Sequence, residues 1–179
     1  MNILDELDND LALQNKEDKR KAFLSMHKST FLLCPSLFKK KEDLPKLNWI
    51  TFKHGEIPEG IVLPDKQGVY ILSISIMSDS LPSNSYVLYV GKAGDINSNN
   101  TIKKRYRDYV NPSGYKNRVK VKKMLELWSG HLTYSFATVE DGKSTGVVEE
   151  TLTSIFIPPY NQADYHADLK NLLKGIDIL

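Results

Sequence analysis

The 179-residue chain predicts an α+β fold: a small three-stranded antiparallel sheet flanked by helices, with a helical N-terminal extension. Three observations carry this expectation. Val69 to Ile76 alternates Tyr, Ile and Leu with Ser, the period of two that a strand imposes on its faces, and Tyr86 to Val90 is a second β-rich run. Asp79, Pro82, Ser83 and Asn84 between them supply turn chemistry, so the two runs pair as a hairpin. Two helical segments then precede a third alternating run, Leu132 to Val139, and a further helix.

In chain order, residues 3–33 read as helical, with Ile3, Leu4, Leu7, Leu11 and Leu13 opening a partly apolar face and Ala22, Phe23, Met26 and Phe31 continuing it. Cys34-Pro35 interrupts that pattern. Pro45, Gly55, Pro58, Gly60 and Pro64 mark an irregular lead-in from 35 to 66, which Trp49, Ile50 and Phe52 tack to the core. After the hairpin, Asp95 to Asn100 is polar loop, and Ile102 to Tyr109 is a helix stopped by Asn111-Pro112-Ser113-Gly114. A second helix over 115–128 presents Val121, Met124, Leu125 and Trp128 on one face. Ser144 or Thr145 caps a helix that Pro158-Pro159 ends near Ile157, and a last helix spans 164–173. The expected organisation is an arm and lead-in over 1–66, a central domain over 67–162 and a terminal helix over 163–179 packed on it.

Composition narrows the classes of function. A membrane span needs about 20 consecutive apolar residues, and the apolar runs here are shorter, so no membrane partner is expected. Asp5, Glu6, Asp8 and Asp10 precede any basic residue, the reverse of a presequence, and a cytoplasmic location is expected. Cys34, the one cysteine, allows no internal disulfide and is expected to be a buried small apolar residue. His27, His54, His131 and His166 are scattered without metal-ligand spacing and read as surface or capping residues.

The net charge of +2 is unevenly spread. Residues 92–123 hold ten Lys or Arg against Asp95 and Asp108, a local balance of +8. Lys103, Lys104, Arg107, Lys116, Arg118, Lys120, Lys122 and Lys123, interleaved with Tyr106, Tyr109 and Tyr115, form a candidate DNA-binding stretch, because clustered cations hold a polyanion by releasing its counterions. Taken alone, such a run is more often a solvated helix face.

The chemistry-bearing residues fall in a fixed order: Gly68-Val69-Tyr70, Tyr89-Val90-Gly91-Lys92, Arg105 with Tyr109 four residues on, then Glu149 and Asn161. This order over residues 67–162 resembles the GIY-YIG family of metal-dependent nucleases. Lys92 after the glycine and Tyr109 after the arginine are most similar to the nuclease domain of the excision-repair subunit UvrC. Leu152, Pro158, Tyr160 and Asn161 keep the family-like spacing from Glu149. The polar insert 95–100 and Thr153 depart from the pattern.

The resemblance implies a DNA endonuclease that uses one Mg²⁺ or Mn²⁺ and leaves a 5′-phosphate and a 3′-hydroxyl. Glu149 would be the metal ligand, chosen by spacing over Glu150, which has an equal claim on composition. Arg105 would offer a planar fork to the scissile phosphate, with Tyr109 one helical turn along the same face. Tyr70 would accept the proton of the attacking water, with Lys92 favouring its phenolate and Tyr89 beside it. Gly68 and Gly91 would be backbone positions where a side chain obstructs, and the Asn161 amide would tie the surrounding backbone. A restriction-type or mobile-element enzyme is the expected setting, because the partner-binding and second nuclease domains of the repair subunit are not seen; a standalone repair nuclease and a non-catalytic DNA-binding scaffold of the same fold are the alternatives. A homodimer would suit cutting of both strands, and the arm over 1–45 is the expected place for dimerisation or clamping.

Overall fold

The computed structural model describes residues 28, 29, 31–76, 82, 84–95, 98–161, 170 and 171. The elements below all belong to one compact unit, 31–179. The helix expected over 3–33 and most of that expected over 164–173 lie outside the described residues, although 170 and 171 are helical.

Pro35 opens a helical turn, α1 (Pro35–Phe38), which runs into a 3-10 turn at Lys39–Asp43. The sheet strands are β1 (Ile50–Lys53), β2 (Gly68–Ile76), β3 (Asn84–Ala93) and β4 (Leu132–Thr138). Between β3 and β4 stand α2 (Ile102–Val110), α3 (Pro112–Tyr115) and α4 (Val119–Leu127), and α5 (Thr145–Phe156) follows β4. All pairings are antiparallel, in the order β1-β4-β2-β3.

The sheet therefore has four strands rather than the three expected. The extra strand is β1, from the segment read as an irregular lead-in. It is four residues long and buries Phe52 alone, so it has too little alternation to stand out among prolines and glycines. Phe52 nevertheless pairs with Tyr134 across β4 and packs edge-on against the rings of Tyr106 and Phe136. The helix expected over 115–128 is shorter, α4 beginning at Val119, and the segment expected to stop α2 forms the separate turn α3. Asn111 caps α3 by accepting from the Ser113 N–H, Pro112 sits in its first turn, and Arg118 holds the extended turn before α4.

The sheet buries both faces. Tyr70, Leu72, Ile74 and Tyr89 join Tyr134 and Phe136 beneath α2 and α4, meeting Ile102, Tyr106, Tyr109, Val121 and Met124. Val69, Ile71 and Val90 face the other way, against Val148 and Leu152 of α5. Each large apolar side chain so buried contributes about 1.5–3 kcal/mol. Cys34 is half-buried, not buried, and packs with Leu32 and Leu37 against Ile157.

β3 is an edge strand, and its outer edge is closed beside the candidate site. Ile157 ends α5 in the left-handed region at φ 44°, a conformation disfavoured for a β-branched residue and here held by a side chain only 2% exposed. The chain then turns back through Pro158-Pro159, so that the Tyr160 N–H donates to the Leu88 carbonyl at 3.1 Å.

Candidate active site

A cleft of about 670 Å³ opens along β3 between α2, the start of α4, α5 and the turn after it. Tyr70, Tyr89, Lys92, Arg105 and Glu149, which are up to 79 residues apart in sequence, all line it. Tyr109 lies directly behind, its hydroxyl 2.8 Å from that of Tyr70.

The hairpin register sets the tyrosines. Tyr70 stands opposite Gly91 and Leu72 opposite Tyr89, so both phenols fall on one face of the sheet. A Cβ at Gly91 would lie 2.5 Å from Cζ of Tyr70, so the missing side chain is the space the ring occupies. At Gly68 a Cβ would collide with the Ala137 carbonyl of β4. Gly91 thus leaves room for a ring and Gly68 for a neighbouring strand.

Tyr70 is 1% exposed and packs against Tyr134 and Tyr109. Burial pushes its phenol well above the ordinary tyrosine value, and the adjacent Tyr109 and Tyr89 phenols push the same way. Deprotonating Tyr70 in this setting therefore costs more than in water, and its hydroxyl is held against that of Tyr109. The ammonium expected to favour its phenolate is engaged elsewhere: Lys92 Nζ lies 3.0 Å from Asp95 Oδ2 and 3.8 Å from Glu149 Oε2.

Asp95, read from sequence as the start of a polar insert, is an anchor. Its carboxylate accepts from Lys92, from the Gly146 N–H at 3.1 Å and from the Ser144 hydroxyl at 3.1 Å, so a negative charge meets the N-terminus of α5. The neighbouring Thr145 hydroxyl donates to the Gly94 carbonyl at 2.6 Å. Gly94 has φ +74°, and a Cβ there would strike the Asn100 carbonyl. The Gly-Asp pair just past a strand was the readable signal for this junction. Together these contacts fasten the end of β3 to the helix that carries Glu149.

Ser144 is the residue that caps α5, and its hydroxyl accepts from the Val147 N–H. On that helix Glu149 faces the cleft with its side chain 25% exposed, whereas Glu150 is exposed and does not line it.

On α2, capped by Thr101, Arg105 and Tyr109 share a face as their spacing requires. Arg105 Nη1 reaches Asp108 Oδ2 at 3.4 Å, while its Nε is buried with no hydrogen-bond partner. Lys103, Lys104 and Arg107 are exposed on the same helix, and Lys116, Lys120, Lys122 and Lys123 are exposed on the stretch through α4. Lys104 Nζ donates to the Asn99 carbonyl, and Lys122 lies 3.8 Å from Glu126.

Arg118 does not belong with the exposed lysines. It is half-buried in the cleft, its Nη2 donating to the Tyr89 hydroxyl at 2.9 Å and its guanidinium carbon 5.1 Å from the Tyr109 ring centroid. Within a run of basic residues, the sequence signal was its place just before an amphipathic helix whose Val121 turns inward. His54, expected as a surface or capping residue, is half-buried, its Nδ1 buried without a partner. His131 is exposed, and His27 and His166 lie outside the described residues.

The donor set suits a hard cation in one form only. Among the described residues no three His, Cys, Asp or Glu side chains gather as a cage. Mg²⁺ keeps several waters and needs as few as one or two carboxylates plus substrate phosphate oxygens, which the cleft-facing carboxylate of Glu149 fits.

Among the described residues no helix is long and apolar enough to cross a membrane. No family model matches the chain, and neither a curated protein nor a solved structure matches it.

Proposed function

We propose that this chain is a metal-dependent endonuclease of the GIY-YIG type, hydrolysing DNA phosphodiester bonds in the cleft beside β3, in a restriction-type or mobile-element setting. The observation that supports it most is convergence: Tyr70, Tyr89, Lys92, Arg105 and Glu149, named by sequence order alone, line a single cleft. Four elements deliver them, and chance placement on a sheet with two buried faces does not favour that.

Glu149 would hold one Mg²⁺ or Mn²⁺, which when bound supplies Lewis-acid stabilisation of the phosphoryl oxygens and an acidified water. Arg105, with an unpaired buried Nε, would bind the scissile phosphate through its planar fork. Lys92 would hold positive charge at the same wall, steadied by Asp95. Tyr70 and Tyr109 would orient each other through their shared hydrogen bond and keep that wall rigid. Tyr89 would present its hydroxyl to the cleft under Arg118. The exposed lysines of α2 and α4 would hold the flanking duplex.

The experiment is incubation of plasmid DNA with wild type and Glu149→Ala in Mg²⁺, Mn²⁺ or EDTA. Metal-dependent cutting lost in the variant is the expected result, with DNA binding retained. Full cutting by Glu149→Ala overturns the site. Binding without cutting by the wild type favours the scaffold reading, which the buried Tyr70, hydrogen-bonded to Tyr109, also suits.

A further inference from the structure

We propose that Arg118 is a second phosphate-binding position in the cleft, receiving the backbone phosphate adjacent to the one that Arg105 receives. The inference deepens the nuclease reading and rests on its premise that the cleft takes a nucleic acid backbone.

Arg118 has the features of a pre-set anion receptor. A guanidinium cannot shed its proton, so burying it without an anion is costly unless other groups hold it. Here a phenol oxygen and two aromatic faces do so: Tyr89 accepts from Nη2, and the rings of Tyr109 and Tyr89 lie 5.1 and 5.7 Å from the guanidinium carbon. None of these supplies a negative charge, and among the described residues no carboxylate forms an ion pair with Arg118. Its Nη1 is buried with no partner in good hydrogen-bond geometry, although the Tyr109 side chain is close enough to interact with the guanidinium. Arg105 in the same cleft likewise keeps Nε buried and unpartnered. Two planar guanidinium groups that line one cleft, each with a nitrogen left unpaired, match two anionic groups rather than one. A polynucleotide backbone supplies them at a fixed repeat. Lys92, by contrast, is already engaged by Asp95 and Glu149 and adds little further demand for an anion.

The test is binding of a short labelled DNA duplex in EDTA, so that no turnover intervenes, across a series of salt concentrations. Arg118→Met should bind roughly tenfold or more weakly, the loss expected for a charge-assisted contact. Its log-log salt slope should fall by about 0.9, one phosphate's worth. Arg118→Lys should restore the slope but only part of the affinity, because the fork is lost. Equal affinity and slope in Arg118→Met and wild type overturn the proposal, as does absence of any duplex binding.

If Arg118→Met fails to fold, wild type decides. Duplexes with single methylphosphonate replacements should show two adjacent sensitive positions, and one isolated sensitive position overturns the clamp. Inorganic phosphate as competitor separates the sources: displacement of duplex only at concentrations far above those of the oligonucleotide is expected, and equal potency would assign the position to free phosphate. The nuclease reading is judged apart, by plasmid cleavage, so cutting without an Arg118 effect sinks the clamp alone. An Arg118 effect without cutting sinks the nuclease reading alone.

Discussion

The Asn161 side-chain amide pairs with both backbone groups of Val90, Nδ2 donating to the carbonyl at 2.7 Å and Oδ1 accepting from the N–H at 2.8 Å. An amide side chain thereby stands in for one rung of a further strand, on the outer edge of β3. Val90 lies between Tyr89 and Gly91, so the contact fixes the backbone from which the cleft's residues project. Asn161 is itself 1% exposed, so water cannot readily replace it.

Replacing Asn161 by Leu leaves the Val90 N–H and carbonyl buried without partners. Each orphaned group costs about 1–3 kcal/mol, so a loss of about 2–6 kcal/mol is expected. Urea denaturation measures it. Asn161→Asp should not rescue the fold, because it keeps the acceptor for the N–H but turns an oxygen toward the carbonyl. A loss below about 0.5 kcal/mol for Leu would show that the edge is held elsewhere.

Gly91→Ala should destabilise the chain by about 1–3 kcal/mol, the usual cost of overpacking, because the added methyl meets the Tyr70 ring. The pair should couple. In the double variant Gly91→Ala with Tyr70→Leu the methyl has room, so the two costs should sum to clearly more than the measured total. Strict additivity would mean that the strand shifts rather than the ring, and that Gly91 serves something other than Tyr70.

The central architecture was legible because its signals are long and redundant. β2 carries the Tyr/Ile/Leu and Ser alternation of 69–76 and β3 the β-rich run of 86–90, and α5 carries its cap and its prolines where the helix must begin and end. β1 was not legible, since four residues with one buried side chain carry no period. The candidate cleft residues were legible from their order, but not their states. Nothing in the local sequence says that Tyr70 is buried against Tyr109, because that depends on Gly91 and on α2 folding back over the sheet. Arg118 was read as one cation among eight, since only tertiary packing separates a buried guanidinium from exposed lysines. Asp95 was hidden in the same way by a polar loop.

Asp95→Ala should loosen the junction between β3 and α5. The substitution leaves the Gly146 N–H and the Ser144 hydroxyl without their acceptor and removes one of the two carboxylates at Lys92. These groups are only partly buried and water can reach them, so about 1–3 kcal/mol is expected, measured by denaturant unfolding. Asp95→Asn keeps an acceptor for the Gly146 N–H and should lose less. If both variants match wild type, the Ser144 cap and the Thr145–Gly94 contact suffice to hold the α5 N-terminus.

His54 should give the fold a pH dependence near neutrality. Its backbone N–H donates to the Leu132 carbonyl at 2.8 Å, its ring stands edge-on to Tyr106 at 5.6 Å, and its Nδ1 is buried without a partner. Burial lowers its pKa below the ordinary histidine value, because a charged imidazolium would lose water there without gaining an anion. The sign follows from proton binding. Above about pH 6.5 the ring is neutral in folded and unfolded chains alike, and stability is unaffected. As pH falls below that value the unfolded chain takes up the proton first, so stability declines until the depressed folded value is passed and then levels off. Urea midpoints at pH 7.5 and pH 5.5 should therefore differ in wild type, and the difference should shrink in His54→Phe, which keeps an aromatic ring against Tyr106 but cannot titrate. The same difference in both proteins would place the acid sensitivity in the carboxylates instead.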